Sequence, residues 1–442
     1  MTGSNNKGLK TLTKLNSLNP DIKEKKISGY PMFNKKSPNG TSFTERGFSS
    51  SEGTKATSNP STYYITYASS YSFNPSTGKY SLNNAQTCVW NNCYQTLASG
   101  TYYTGYVTLR SSSAVYANTN RDTIYRISAN STSASLKYYS SLIPTLNAWD
   151  ENDVGVFSME DDYGTSYFFR GNVTNNYFRF GKNSSNANMW WRIMRINGDG
   201  SIRLMYDGTS AYANGTSNSN RRVTTSAFNS VNTDAGYLGY MYGTFTVPST
   251  SYETVIENNV ASTIKGNLES WYTTNIQNTG YSTYLSDEIF CNDRTIKSGN
   301  TGYGANSTDY GAYVRNVTNK TPSLKCPKKN DAFTLNLTST GNGKLSKPVG
   351  LLTADDLAVG GNLYNSTNYY SYFYKGSTYI TMSPYYMRSA GAQITVLYST
   401  GYIYGVVVST ANGLVPVINI SPNYVTNIKG LGTTSSPFYL DV

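Results

Sequence analysis

Two stretches of alternating text constrain this chain more than any other feature. "SYFFRGNV" and "NYFRFG" flank "TN", and "WWRIMRI" and "SIRLMY" flank "NGDG". Bulky and polar residues exchange places along each run, and a period of two lays the two sets on opposite faces of a strand. The connections hold Asn, Gly and Asp, which accept positive φ at the least cost. The text therefore predicts two successive hairpins, a meander, between residues 153 and 206.

The rest of the chain is punctuated in the same way. Short runs such as "YYITYASSYSF", "TYYTGYVTLR" and "DTIYRISA" are divided by "NPSTG" and "LASG", so residues 61–148 read as a small antiparallel β domain. Residues 1–60 are rich in Lys, Ser, Asn and Pro and read as a basic arm or linker, with a short helix at "LKTLTKLNSL". "LIPTLNAWDEND" marks the crossing into residues 149–442, read as an α+β domain. There "TSYETVIENNVASTIKGNLESWYTTNI" changes period. Ile256, Val260, Ile264, Leu268 and Trp271 or Tyr272 share one face of a single amphipathic helix of about five turns. Thr250 with Glu253 would box its start. A shorter helix is expected at "LLTADDLAVGG", capped by Thr353 and Asp356 and stopped at Gly360–Gly361. The fold class is β-rich α+β, in two or three domains for 442 residues.

Composition narrows the chemistry. Only 14% of residues are charged, while 42 tyrosines and a 38% hydrophobic fraction leave ample surface to bury. No histidine occurs, which removes the usual general base and the commonest transition-metal ligand. Residues 1–46 carry nine Lys/Arg against three acids, a local +6 of the chain's +11. Such a leader is ordinarily solvated or packed on a neighbour. Elsewhere no arginine stripe interleaves with aromatics, so no specific nucleic-acid partner is expected. Cys88 and Cys93 enclose "VWNN", and Cys291 and Cys326 bracket a Gly/Asn-rich excursion. Two lone pairs cannot make a zinc site, and their even number favours disulfides, with buried free thiols as the alternative. No run of 18 apolar residues is present, and no apolar segment follows the first methionine. Export by another route, a removed leader or release with a lysed particle would each fit.

Several phrases carry a resemblance. "YFFRGNVTNNYFRFG…WWRIMRINGDGSIRLMYDG", "IFCNDRT", "PVGLLTADDLAVGG", "YITMSP" and "GLVPVINI…IKGLGTTSSPFYLDV" resemble an uncharacterised domain family. It recurs in surface and pilin-like proteins of gut Firmicutes, and the likeness spans about residues 150–442. Members often end "GVRPVINL", where this chain has Val415 in place of the arginine. The order "RSAG…PVINI" is also similar to the end of the C-type-lectin-like fold. That fold occurs in formylglycine-generating enzymes and in the variable proteins of diversity-generating retroelements. The resemblance implies a lectin-like α+β domain whose loops form a ligand surface. An oxidase of that class would use cysteines in the C-terminal core, and none follows Cys326.

The candidate site lies between Tyr364 and Tyr404, where eleven tyrosines stand among Ser, Thr and Gly. No carboxylate occurs between Asp356 and Asp441. Some of these rings must be half-buried strand residues. As a set they have the composition of a contact surface, in which Tyr gives area at low entropic cost and small polar neighbours adapt their hydrogen bonds. The expected ligand residues are Tyr369, Tyr370, Tyr372, Tyr374, Tyr385, Tyr386, Arg388, Tyr398, Tyr402 and Tyr404. Other motifs are weaker. "DENDVGVFSMED" puts Asp150, Asn152 and Asp161 near calcium-loop positions, with Val154 at a ligand place and Glu160, Asp161 and Asp162 as an irregular substitute. "INGDGS" leads into a strand and so reads as a turn, not a phosphate loop. Asp287 and Glu288 could pair for sugar cleavage, but nothing marks them. The resulting expectation is a non-enzymatic, adhesin-like protein displayed outside a cell or on a virion. It would bind a cell-surface protein or glycan, and its loops could be diversified by a retroelement. The alternative is a subunit of a pilus-like filament or phage virion assembled through residues 1–60.

Overall fold

The computed structural model describes residues 6–25, 154–319 and 321–441 in full, and the backbone of strands lying between Glu45 and Tyr139. The chain divides into two units: residues 1–26 together with 151–442, and residues 27–150. The arm expected over residues 1–60 is therefore split. Its first part belongs to the larger unit, and Glu45–Arg46 adds an edge strand to the smaller one. The smaller unit carries a six-stranded antiparallel sheet and a hairpin pairing Ser70–Asn74 with Lys79–Asn83. The expected Cys88–Cys93 bridge lies outside the described residues.

In the larger unit, helix α1 (Lys7–Leu18) starts at Asn6, whose side chain accepts from Leu9 N. Its buried Leu12 and Leu15 face a sheet, and Thr11 Oγ1 donates to Gly200 O at 2.7 Å. Gly8 permits this approach, because a Cβ there would meet Thr165 O at 2.6 Å. The segment continues to Lys25, whose N–H donates to Val156 O. Apolar contact and backbone pairing hold these residues, which explains why a basic and polar text is not a free arm.

The first sheet has eight strands. They are β1 (Gly155–Asp161), β2 (Gly164–Arg170), β3 (Tyr177–Lys182), β4 (Asn188–Ile196), β5 (Ile202–Gly208), β10 (Val417–Ile420), β11 (Ile428–Lys429) and β12 (Phe438–Leu440). Their order is β10-β5-β4-β3-β12-β11, with β2 pairing both β1 and the end of β4. The β4–β5 hairpin forms as expected, closed by Asn197 N to Ser201 O, with Gly200 at φ +91°. The first expected hairpin does not form. Gly171 turns at φ +77° and its N–H donates to Gly360 O, so β2 is drawn away from β3 to pair with β1. Every residue of β5, which runs between β4 and β10, is buried. Trp191 is fully buried, donates from Nε1 to Phe180 O and meets Tyr206 edge-on at 5.4 Å.

The expected five-turn helix is interrupted. A turn at Tyr252–Val255 is capped by Ser251 rather than Thr250, and Val260–Ala261 is strand. Helix α2 (Thr263–Tyr272) then starts at Ser262 and buries Ile264, Leu268 and Tyr272. The break lies at Asn258, at φ +59°. Its side chain donates to Asn330 O and accepts from Arg294, and these buried bonds outweigh continued helix. Helix α3 (Ala354–Gly360) matches expectation, with the Thr353–Asp356 capping box and Gly361 in left-handed conformation.

The second sheet holds the C-terminal text. It comprises β6 (Tyr379–Arg388), β7 (Gly391–Leu397), β8 (Ile403–Val407) and β9 (Asn412–Leu414), with Thr224–Ser226 on β9 and Thr308–Asp309 on β6. The architecture is β-rich, with few helices.

Candidate functional site

Seven tyrosines converge at one end of the second sheet. Tyr385 and Tyr386 are consecutive in β6, where alternation should send them to opposite faces. A bulge changes this. Pro384 pairs with Ile394 and Tyr386 with Gln393, which leaves Tyr385 as the extra residue. Both rings then meet Tyr313 edge-on, at 4.7 and 5.7 Å between centroids. Tyr398, Tyr402 and Tyr404 come from the β7–β8 hairpin, whose turn is closed by Tyr398 N to Tyr402 O with Gly401 at φ +85°. Tyr364 arrives on a loop held against β8 by Ile403 N donating to Leu363 O. It stacks nearly parallel to Tyr404, 6.2 Å away.

The cluster has a buried floor and a half-exposed upper surface. Tyr385 is only 2% exposed and lies on Gly405, where a Cβ would come within 2.1 Å of its ring. Tyr398 and Tyr404 are 36% and 38% exposed, and Tyr313, Tyr364, Tyr386 and Tyr402 are half-buried. Burial raises the hydroxyl pKa of Tyr385, helped by Tyr364, and burial likewise raises those of Tyr386 and Tyr313. These three stay protonated and neutral at physiological pH. Arg388 lies 4.4 Å over the Tyr386 ring and is ion-paired with Asp309, which Lys297 also approaches.

The structure thus brings together Tyr385, Tyr386, Arg388, Tyr398, Tyr402 and Tyr404 from the expected set. Tyr369 and Tyr370 are exposed, at 44% and 66%, but among the described residues no ring contact joins them to the cluster. Tyr372 and Tyr374 are corrected to the interior. Tyr372 donates its hydroxyl to Phe169 O beneath the Arg192 guanidinium, and Tyr374 packs edge-on to Tyr369. Tyr385 is likewise floor rather than contact surface. Tyr313 and Tyr364 are members that the expected list omits. Tyr364 falls inside the tyrosine-rich window, whereas Tyr313 is remote in sequence and nothing in the text marks it.

A second concavity is ionic. A narrow cleft, partly open to solvent, is lined by Asp161, Asp162, Asp293, Asp355, Arg195 and Arg315, among others. Its carboxylates are engaged by the protein itself. Asp161 accepts from Tyr163 N and Gly198 N, Asp162 accepts from Cys326 N, and Asp293 and Asp355 clasp Arg315. Burial raises the pKa of Asp161 and Asp162. Cys291 on the cleft wall is bridged to Cys326. Of the expected calcium residues, Glu160 and Asp161 lie in strand β1, where alternation sends their side chains to opposite faces. Asp150 and Asn152 lie outside the described residues, and among the described residues no group of three acids or thiols could hold a metal. Asp287 and Glu288 do not face one another. Asp287 accepts from Leu335, Asn336 and Leu337 N–H groups, while burial and Asp199 push Glu288 up to about 9.

Of the two sites, the tyrosine cluster is the one that presents unengaged surface. Its chemistry is contact: large rigid rings, hydroxyls that donate and accept, and no free carboxylate or nucleophile. No protein family, curated protein or solved structure matches the chain.

Proposed function

We propose that this chain is a non-enzymatic, surface-displayed binding protein of adhesin type, which holds a cell-surface ligand on the tyrosine platform of its second sheet. One observation carries the reading. Six partly exposed rings from four separate segments pack on one another and around a buried seventh, Tyr385, through a mixture of edge-on, tilted and stacked contacts, so the surface is organised before any ligand arrives. The Cys291–Cys326 bridge supports an extracellular or virion-surface setting, where disulfides persist. The likeness of "RSAG…PVINI" to lectin-like endings supports a body of that kind carrying the platform on its loops. In a sharper form the platform codons are diversified by a retroelement, and a near-identical template repeat should then lie beside the gene. Its absence removes that form alone.

Assembly into a filament through the N-terminal segment is the competing reading. It draws less support, because residues 6–25 are already packed within their own unit. The test is adhesion of the labelled full chain to candidate host or microbial cells. Changing Tyr386 and Tyr404 together to Ala should abolish adhesion while leaving the melting transition in place. Adhesion at the original level in that variant refutes the proposal.

A further inference from the structure

We infer that Tyr398 and Tyr402 form an oxidative cross-linking site, at which a haem peroxidase with hydrogen peroxide joins the two rings as dityrosine. This holds whatever the platform binds. The β7–β8 turn is closed by Tyr398 N–H donating to Tyr402 O and by Gly401 N–H donating to Tyr398 O. The two tyrosines therefore stand opposite each other, one residue beyond the pair Leu397 and Ile403. Opposed residues of an antiparallel pair share one face of the sheet. Their rings are stacked, with centroids 5.3 Å apart and 25° between planes. Holding two reactants side by side replaces a chance encounter with an intramolecular step.

The neighbouring rings are less well placed to couple. Tyr364 and Tyr404 are the other stacked tyrosine pair among the described residues, but their centroids are 6.2 Å apart. Tyr385 and Tyr386 approach to 4.6 Å, yet they are tilted by 42° and Tyr385 is 2% exposed. Tyr404 meets both Tyr398 and Tyr402 edge-on. Protonation favours the same pair. A phenol that gives up an electron must also shed its hydroxyl proton, and Tyr398 and the half-buried Tyr402 both reach water to do so. Burial makes the hydroxyls of Tyr313, Tyr385 and Tyr386 harder to deprotonate, so oxidation that begins in the cluster settles on its outer rings. Among the described residues no free thiol is present to quench the radicals.

The step balances as follows. Each tyrosine loses one electron and its hydroxyl proton to give a neutral phenoxyl radical. The two radicals join through the ring carbons next to their oxygens, forming one carbon–carbon bond. The hydrogen on each joined carbon then moves to the adjacent oxygen and restores both phenols. The two electrons and two protons released reduce one hydrogen peroxide to two waters. The product ties the two strands at the mouth of the hairpin and leaves both hydroxyls in place.

The experiment treats the dilute full chain with a haem peroxidase and a small excess of hydrogen peroxide, isolates the monomer and digests it with trypsin. No Lys or Arg lies between Arg388 and Lys429, so both tyrosines fall in the single peptide Ser389–Lys429. That peptide should lose the mass of two hydrogens, and its tandem mass spectrum should lack backbone fragments only between Tyr398 and Tyr402. Tyr398→Phe and Tyr402→Phe keep the ring but remove the phenol, and each should lower the cross-linked peptide at least tenfold. Tyr404→Phe should leave it within twofold of the unchanged chain. A Ser389–Lys429 peptide of unaltered mass overturns the inference, whether dityrosine forms elsewhere, between chains or not at all. A cross-linked peptide that persists in either the Tyr398→Phe or the Tyr402→Phe variant overturns it as well.

Discussion

Replacing Gly405 by valine drives branched carbon into the ring of Tyr385. A single Cβ at this position would sit 2.1 Å from Tyr385 Cδ1 and 2.5 Å from Cε1, well inside van der Waals contact. Tyr385 cannot yield easily, because it is held by Tyr313 at 4.7 Å and Tyr386 at 4.6 Å and is 2% exposed. Overpacking of this kind costs about 1–3 kcal/mol. For a unit of 318 residues (26 from 1–26 and 292 from 151–442) that corresponds to a melting temperature lower by roughly 1–5 °C. Differential scanning calorimetry of the full chain, following the transition of the larger unit, measures the loss. The double variant Gly405→Val with Tyr385→Ala should recover part of it, because the alanine opens the space the valine needs. Coupling of about 0.5–3 kcal/mol is expected for side chains in contact. If Gly405→Val melts with the wild type, or if the two changes are simply additive, the ring does not lie on Gly405. The floor of the platform would then be misplaced.

Two opposed titrations shape the dependence of stability on pH. Burial holds Lys375 at about 7, below a free lysine, despite its contact with Asp207. Between pH 7 and about 10 the unfolded chain therefore binds the proton the folded one lacks, and this group makes stability rise with pH. Glu288, raised to about 9, acts in the other direction: its stabilisation is complete below pH 4 to 5 and is lost as pH rises toward 9. The two should largely cancel between pH 7 and 9. Denaturant midpoints of Glu288→Gln should rise over that range and those of Lys375→Met should fall. A wild-type slope as steep as either variant's contradicts the assignment. Changing Cys291 and Cys326 to Ser opens a loop spanning 35 residues and should cost about 3–4 kcal/mol on the chain-entropy account, read from urea unfolding. Leu15→Ala in α1 should cost about 2–5 kcal/mol, as for a fully buried leucine. An unchanged midpoint would mean that α1 is not part of the core.

What the text revealed was whatever depends on neighbours in sequence. The β4–β5 hairpin follows from alternation around "NGDG", and α3 follows from Thr353, Asp356 and Gly361, all within a few residues. The failures have distant causes. Gly171 bonds to Gly360, and Asn258 is held by Asn330 and Arg294, so a hairpin and a long helix that looked complete locally were each overruled. The candidate window was legible as composition. Its sorting was not, because the bulge at Tyr385 reverses which faces the rings occupy, and strand text alone does not fix register. Tyr313 joined the platform from a turn far upstream, a placement that only tertiary structure supplies.

The most direct measurement compares adhesion of two full-chain variants, one changing Tyr398, Tyr402 and Tyr404 to Ala and the other changing Tyr369 and Tyr370. Both sets include exposed rings, but only the first belongs to the platform. The first variant should lose at least a hundredfold in apparent affinity, and the second should bind near the wild-type level. Binding lost with Tyr369 and Tyr370 and kept without the platform rings would contradict the proposal.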